Sequence, residues 1–168
     1  MVTSSLPVES WWGTSGEIFT NTDVHGKVLS TAIGIPISYT NQVTNILIDI
    51  NTKISFPGIF AFRYVKQSKA TLAFTQYDPT CVVELDGVES EHTWSFYNAV
   101  WDAMQQSGIP HTFHWGKIYK FDDTKVKQAF GVRRDNWVKA RNSLLSKQSL
   151  DIFSSTTLNN LGLDQIIS

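Results

Sequence analysis

The chain has 168 residues, which is the size of a single domain with one hydrophobic core. Charged residues make up 17% of it and the formal net charge is -1, which excludes the basic surface of a nucleic-acid-binding protein. The lone Cys81 excludes an intrachain disulfide and a cysteine-based metal cluster, and it is compatible with a reducing compartment such as the cytoplasm. The sequence has no apolar run of membrane-spanning length and no secretory-signal pattern, so we predict no transmembrane segment.

The first part of the chain predicts an arm followed by a strand. Residues 1–25 are rich in Ser, Thr and Gly without a sustained period, which predicts an irregular N-terminal arm. We expect one domain over residues 26–168. Its first element, residues 27–38, predicts a strand that is interrupted or lies at a sheet edge, because Gly34 and Pro36 fall within the apolar run.

The next segments predict a helix and three strands. Apolar residues at spacings of three and four predict a helix over residues 41–53, with Thr40 as its N-cap. The alternating residues 59–65 predict a strand on which Arg63 is the one charge of an otherwise apolar face. Short β-branched and apolar runs predict further strands over residues 71–75 and 81–85.

The second half of the chain begins with the clearest helix. It is predicted between Ser90, a typical N-cap, and Gly108, which suits a left-handed C-terminal residue. Residues 111–115 alternate and predict the last strand. The order β-α-β-β-α-β is that of the ferredoxin-like α+β fold, an antiparallel sheet with both helices on one face. Two C-terminal helices are predicted near residues 123–130 and 135–146.

The densest polar cluster follows the last predicted strand, at residues 111–117. Alternation would place Lys117 on the same face as Trp115 and on the face opposite His114. Gly116 would let a backbone or a flat ring approach closely, and Lys117 would present an ammonium there. The residues alone also allow a plainer interpretation, in which Trp115 packs in the core and Lys117 is a solvated surface charge.

The motif His114-Trp115-Gly116-Lys117 resembles the His-Trp-Gly-Lys signature of D-arabinono-1,4-lactone, alditol and related FAD-linked oxidases of the vanillyl-alcohol-oxidase superfamily. Further segments extend the resemblance over roughly residues 55–165. They are Phe60-Ala61-Phe62-Arg63, Trp137-x-x-Ala140-Arg141-x-x-Leu144, Phe153 and Leu161-Gly162-Leu163.

The resemblance implies a cap, or C-terminal substrate-binding domain, that lies over a flavin ring. An FAD-binding domain or subunit outside this sequence would hold the rest of FAD. Lys117 and Arg63 are then the expected catalytic cations beside the flavin, and Trp115 and Gly116 complete the cofactor contact. Such cations would stabilise the charge that develops when an alcohol substrate gives its hydride to the flavin, with oxygen as the expected final acceptor.

Two positions depart from the sugar-alcohol oxidases. Ala61 stands where those enzymes have a Glu, and Glu84 aligns with their catalytic His. We therefore predict that Glu84 is the base, with a pKa raised by an apolar pocket, and that Glu84, Asp86 and His114 contact the substrate. Equally, the residues allow Glu84 as an exposed strand residue and Arg63 as a structural ion-pair partner.

Two other functions fit the same sequence. A non-catalytic ferredoxin-like interaction module would use the six Trp and the low charge as a partner surface. The cap of a sterol-type flavin oxidase would suit the less polar pocket that Ala61 leaves. For the oxidase interpretation three explanations of the missing FAD-binding domain stay open: a gene split in two, a fragment of a longer enzyme, or a free-standing cap that has lost catalysis. We expect no bound metal.

Overall fold

The computed structural model describes residues 26–166, so the predicted arm over residues 1–25 lies outside the described residues. The elements in chain order are β1 (Val28–Pro36), a 3₁₀ turn (Ile37–Tyr39), α1 (Thr40–Asn51), β2 (Gly58–Val65), β3 (Thr80–Val88), α2 (Glu91–Gln106), β4 (Thr112–Phe113), α3 (Asp123–Phe130), α4 (Val132–Leu144), α5 (Lys147–Ile152) and α6 (Thr156–Asn160).

The four strands form one sheet in the order β2-β3-β1-β4, and every neighbouring pair is antiparallel. Helix α1 joins β1 to β2 with β3 inserted between them, and α2 joins β3 to β4 with β1 inserted between them. This is the predicted ferredoxin-like α+β arrangement with additional C-terminal helices, and the fold prediction is confirmed. Across residues 26–166, no helix has both the length and the apolar character needed to cross a membrane.

The core lies between one face of the sheet and helices α1 and α2. Alternate residues of β1 and β3 point toward the helices, because successive side chains of a strand face opposite sides. Each buried aliphatic or aromatic side chain contributes roughly 1.5–3 kcal/mol relative to an exposed one. The fully buried members of this layer include Ile33, Ile35, Val43, Leu47, Val83, Leu85, Phe96, Val100 and Met104.

Helix α2 has the boundaries that its local signals predict. The Ser90 hydroxyl accepts from the Thr93 amide at 3.2 Å, and Gly108 has a φ of +64° after the helix end. Its buried face includes Tyr97, whose hydroxyl lies 2.7 Å from the Leu85 carbonyl. Trp94, which the periodicity places on this face, is 40% exposed instead.

Strand β1 is a central strand, so the prediction of an edge strand is wrong. It pairs with β3 along its whole length and with β4 at Ile33 and Gly34. Gly34 is needed because the Phe74 carbonyl lies where a Cβ would stand. The glycine therefore marks a close backbone approach inside the sheet, and Pro36 ends the strand.

Two further local predictions are wrong. Residues 71–75 form turns rather than a strand, and this loop crosses the sheet face opposite the helices, where the Thr112 hydroxyl donates to the Phe74 carbonyl. Helix α1 begins at Thr40 itself, whose hydroxyl donates to the Ile37 carbonyl at 2.8 Å. The Thr40 hydroxyl is therefore hydrogen-bonded to the preceding 3₁₀ turn and does not cap the helix.

The C-terminal helices build a second, smaller core. Helix α3 agrees with its prediction, whereas α4 begins at Val132, three residues earlier than predicted. The Asp122 carboxylate caps α3 by accepting from the Lys125 amide at 2.8 Å. The buried members of this second cluster are Val126, Phe130, Val138, Leu161 and Leu163.

Candidate functional site

The sheet face opposite the helices bears a polar cluster around Glu84. On β3, Glu84 lies directly between Ala32 of β1 and Ala61 of β2. Ala32 is 1% exposed, so the chain itself covers the sheet face on the β1 side of Glu84, whereas Ala61 on the β2 side is only partly buried. Arg63 lies two residues beyond Ala61 and so projects from the same face, and Lys117 reaches it from the turn that follows β4.

The three residues predicted to be catalytic converge in this cluster. Arg63 Nε donates to Glu84 Oε2 at 2.6 Å, and Lys117 Nζ donates to Glu84 Oε1 at 3.0 Å. Lys117 Nζ also lies 3.9 Å from Asp86 Oδ1, and the Ser30 hydroxyl donates to that same carboxylate oxygen. We name these five residues the ionic cluster.

Burial and charge act in opposite directions on the pKa of Glu84. Its side chain is only 14% exposed, and this desolvation favours the neutral acid. Hydrogen bonds and charge from Arg63 and Lys117 outweigh the desolvation, so the pKa is lowered from its ordinary value. The predicted raised pKa is therefore wrong, because the pocket expected to be apolar holds two cations.

The cluster leaves hydrogen-bond donors directed outward. Arg63 uses Nε for Glu84, and its side chain is 67% exposed. Within residues 26–166, its two terminal nitrogens donate to no other residue. Because two cations face two carboxylates, the cluster offers oriented N–H groups rather than a net positive field.

Trp115 does not lie beside Lys117 as alternation predicts. Strand β4 ends at Phe113, and the turn that follows interrupts the alternation of faces. The Trp115 ring stacks on Phe130 at a centroid distance of 5.5 Å, within the second cluster, while Lys117 reaches the ionic cluster. A direct flavin contact by Trp115 therefore lacks the shared strand face from which it was predicted.

His114 and Gly116 interact with each other. The Gly116 amide donates to His114 Nδ1 at 3.1 Å, and a Cβ at Gly116 would lie 3.3 Å from the His114 ring. The ring next to Gly116 is that of His114, from the chain itself, and the predicted cofactor contact of Gly116 stays a prediction. The His114 ring also packs edge-on against the Phe74 ring, with 4.9 Å between the ring centroids. Its predicted contact with substrate stays a prediction.

Ser30 is the member of the ionic cluster that the sequence did not indicate. It is an ordinary serine on an apolar strand, and only the β1–β3 register places it opposite Asp86. Strand register is set by pairing between distant segments. The sequence therefore had no local signal for it.

No known family model matches this chain, and no curated protein matches it. The likeness to FAD-linked oxidases therefore depends on the motifs quoted above.

Replacing Glu84 by Gln should remove a pH-dependent part of the stability. Because folding lowers the pKa of Glu84, its contribution is fully present above its unfolded value near 4.5 and is lost as the pH falls through the folded pKa. We expect Glu84→Gln to lower the free energy of unfolding by about 1 kcal/mol near neutral pH, with the difference shrinking in acid. Urea unfolding across this pH range measures it.

Glu89→Gln is the matched control. Glu89 follows the same strand and pairs with Lys27 at 3.6 Å, but both side chains are well exposed. We expect little change in stability from this substitution. An effect of Glu84→Gln that is equal at neutral and acid pH would contradict the ionised, paired Glu84.

Proposed function

We propose that the chain is the substrate-side cap of an FAD-dependent oxidase that oxidises an alcohol group. An FAD-binding domain or subunit would supply the rest of the cofactor site. The observation that supports this most is the convergence of Arg63, Glu84 and Lys117 on one sheet face. Arg63 and Lys117 come from separate segments of the resemblance, and nothing in their spacing requires both of them to meet Glu84.

The residues fit the edge of a flavin ring but not a complete FAD. The sheet face is partly open on the β2 side of Glu84, at Ala61 and Arg63, and N–H groups of Arg63 and Lys117 suit the electron-rich edge of such a ring. Binding of a pyrophosphate requires a loop of backbone amides, typically rich in glycine. The sequence contains no such motif. The larger part of FAD would therefore be held outside this chain.

When bound, the flavin would supply a two-electron acceptor for the hydride of the alcohol. The role of Lys117 is to present N–H groups that are already oriented, so that little reorganisation is needed as negative charge develops. Arg63 presents its terminal N–H groups from the neighbouring strand. Covering this face with a second domain would exclude water and strengthen both interactions.

Glu84 is better suited to positioning than to general-base catalysis. A carboxylate with a lowered pKa is ionised but has little tendency to take a proton. Both of its oxygens already accept from cations, which fixes Lys117 Nζ and Arg63 Nε. We therefore assign Glu84 as the residue that orients the two cations.

Asp86 is the candidate contact for the substrate hydroxyl. It accepts from Ser30 and lies close to Lys117, and its side chain is 33% exposed. A carboxylate has acceptor positions for about four hydrogen bonds, so the Ser30 contact leaves others open. A hydroxyl that donates to Asp86 would lie beside the Lys117 ammonium, and the Asp86 carboxylate would take the hydroxyl proton when the carbinol hydride is transferred.

Co-expression tests the proposed function. The full chain and a candidate FAD-binding domain should form a complex with the visible absorbance of oxidised flavin and alcohol-dependent production of hydrogen peroxide. A stable complex that binds FAD but oxidises no member of an alcohol panel would contradict the proposal.

An interaction module is the second candidate. The edge strand β2 exposes Ile59 by 64% and Tyr64 by 59%, and an exposed edge can pair with another chain. This candidate predicts a well-folded chain that shows no affinity for any FAD-binding domain. The same co-expression experiment therefore distinguishes the two.

A further inference from the structure

An apolar pocket lies between the loop that crosses the sheet face, the segment after β4 and the C-terminal helices. Its volume is about 570 Å³, and the described residues that line it include no charged side chain. Three aromatic side chains form much of the wall. The lining residues that matter most are Leu72, Trp115, Tyr119, Trp137, Leu158 and Leu161.

Two sets of contacts hold this pocket in shape. The Trp115 indole N–H donates to the Leu72 carbonyl at 2.7 Å, so its polar atom is satisfied and its ring is fixed. The chain turns at Gly162, which has a φ of +64°, and the buried Arg134 donates to the Gly162 carbonyl. This contact fixes the tail that supplies Leu161.

The pocket lies close to the ionic cluster. Lys117 is two residues from Trp115 on one side and two residues from Tyr119 on the other. Consecutive Cα atoms are about 3.8 Å apart, so the Cα of Lys117 lies within about 7.6 Å of the Cα of each of these lining residues. One short segment of the chain therefore contributes to both the pocket and the ionic cluster.

We propose that this pocket binds the ring-containing, apolar body of an uncharged alcohol. Binding of an apolar ligand stands by itself, whereas its assignment as the substrate rests on the proposed function. The substrate class is thereby an alcohol with a bulky apolar part, rather than a polyol or sugar lactone.

Polarity, shape and size support this class. A polyol whose hydroxyl groups face these walls would lose hydrogen bonds to water that the lining cannot replace. Aromatic walls favour flat or fused rings, which they contact over a large area. The volume lies within the range of about 300–1,000 Å³ that is typical of sites for drug-sized ligands.

A fluorescent probe tests the pocket without any flavin. N-phenyl-1-naphthylamine, which is uncharged and apolar, should bind the full chain with a Kd on the order of micromolar. The aromatic alcohol 1-naphthalenemethanol should displace it, and xylitol in about 100-fold excess should not. Absence of probe binding, or displacement by xylitol, would overturn the proposal.

A matched pair of variants locates the binding site. Thr157 lines the pocket, whereas Thr156 precedes it on the same short helix and does not, and both are exposed. Thr157→Trp should fill the pocket and weaken probe binding by at least about tenfold, and Thr156→Trp should leave it within about twofold of wild type. Equal affinities in the two variants would overturn the proposal.

Ala73→Phe provides a second pocket-filling variant from the loop side of the pocket, in case Thr157→Trp fails to fold.

Different results would contradict the proposed oxidase function and the proposed apolar pocket. A chain that binds the probe in the pocket but supports no alcohol oxidation with an FAD-binding domain contradicts the proposed function alone. Probe binding that neither pocket variant weakens contradicts the pocket alone.

Discussion

Replacing Lys117 by Ala is expected to lower alcohol-dependent peroxide production by about 100-fold or more in the complex with an FAD-binding domain. Removal of a single preoriented donor to developing negative charge typically costs this much. The Lys117 side chain is 25% exposed and held by Glu84, so it is already oriented before ligand binds. The measurement is the kcat for peroxide production at saturating alcohol, with the bound flavin quantified by absorbance.

Lys120→Ala is the control for this experiment. Lys120 lies three residues further along and pairs with Asp102 of α2 at 2.7 Å, away from the ionic cluster. It should leave turnover close to wild type. A Lys117→Ala complex that binds FAD and turns over at the wild-type rate would remove Lys117 from the proposed mechanism.

Arg134→Met is expected to lower the free energy of unfolding by about 3 kcal/mol. The Arg134 side chain is 2% exposed and donates to Asp135 at 2.9 Å, to Gln165 at 2.9 Å and to the Gly162 carbonyl. It also lies 3.3 Å from Asp123. Removing it leaves the Gly162 carbonyl without its donor and releases the tail. The two carboxylates are partly exposed and can regain water, which limits the loss.

Urea unfolding of the full chain measures this effect, with Lys139→Met as the control. Lys139 lies on the same helix but is exposed, so its replacement should change the stability by less than about 0.5 kcal/mol. Arg134→Met should also weaken binding of the apolar probe, because Leu161 and Leu163 line the pocket. Equal free energies of unfolding for Arg134→Met and Lys139→Met would show that the contacts of Arg134 make no net contribution to stability.

The structure favours a hydrophobic alcohol over a sugar as the proposed substrate. Arg63 and Lys117 both bind Glu84, but Ala61 and the apolar pocket offer few polar groups for a sugar. A hydrophobic alcohol, which the sequence admits through the sterol-type alternative, fits these walls better. The proposed substrate therefore differs from the polyols that are oxidised by the enzymes with the His-Trp-Gly-Lys motif.

The fold was largely predictable because its signals are local. Helix α2 shows this clearly, since the Ser90 cap, the apolar period and Gly108 all lie within the element or next to it. The order of strands and helices then restricted the topology to the ferredoxin-like arrangement. Residues 71–75 were misassigned because a short β-branched run has strand propensity even where the loop is held by distant contacts.

The sequence by itself determined the order of elements, and its motifs selected Arg63, Glu84 and Lys117 as the residues of interest. Only the tertiary structure decided that they meet, that Ser30 joins Asp86, and that the pKa of Glu84 falls rather than rises. Those outcomes depend on strand register and on the turn that ends β4, and both are set by contacts between segments far apart in the chain. Local patterns carry no information about such distances.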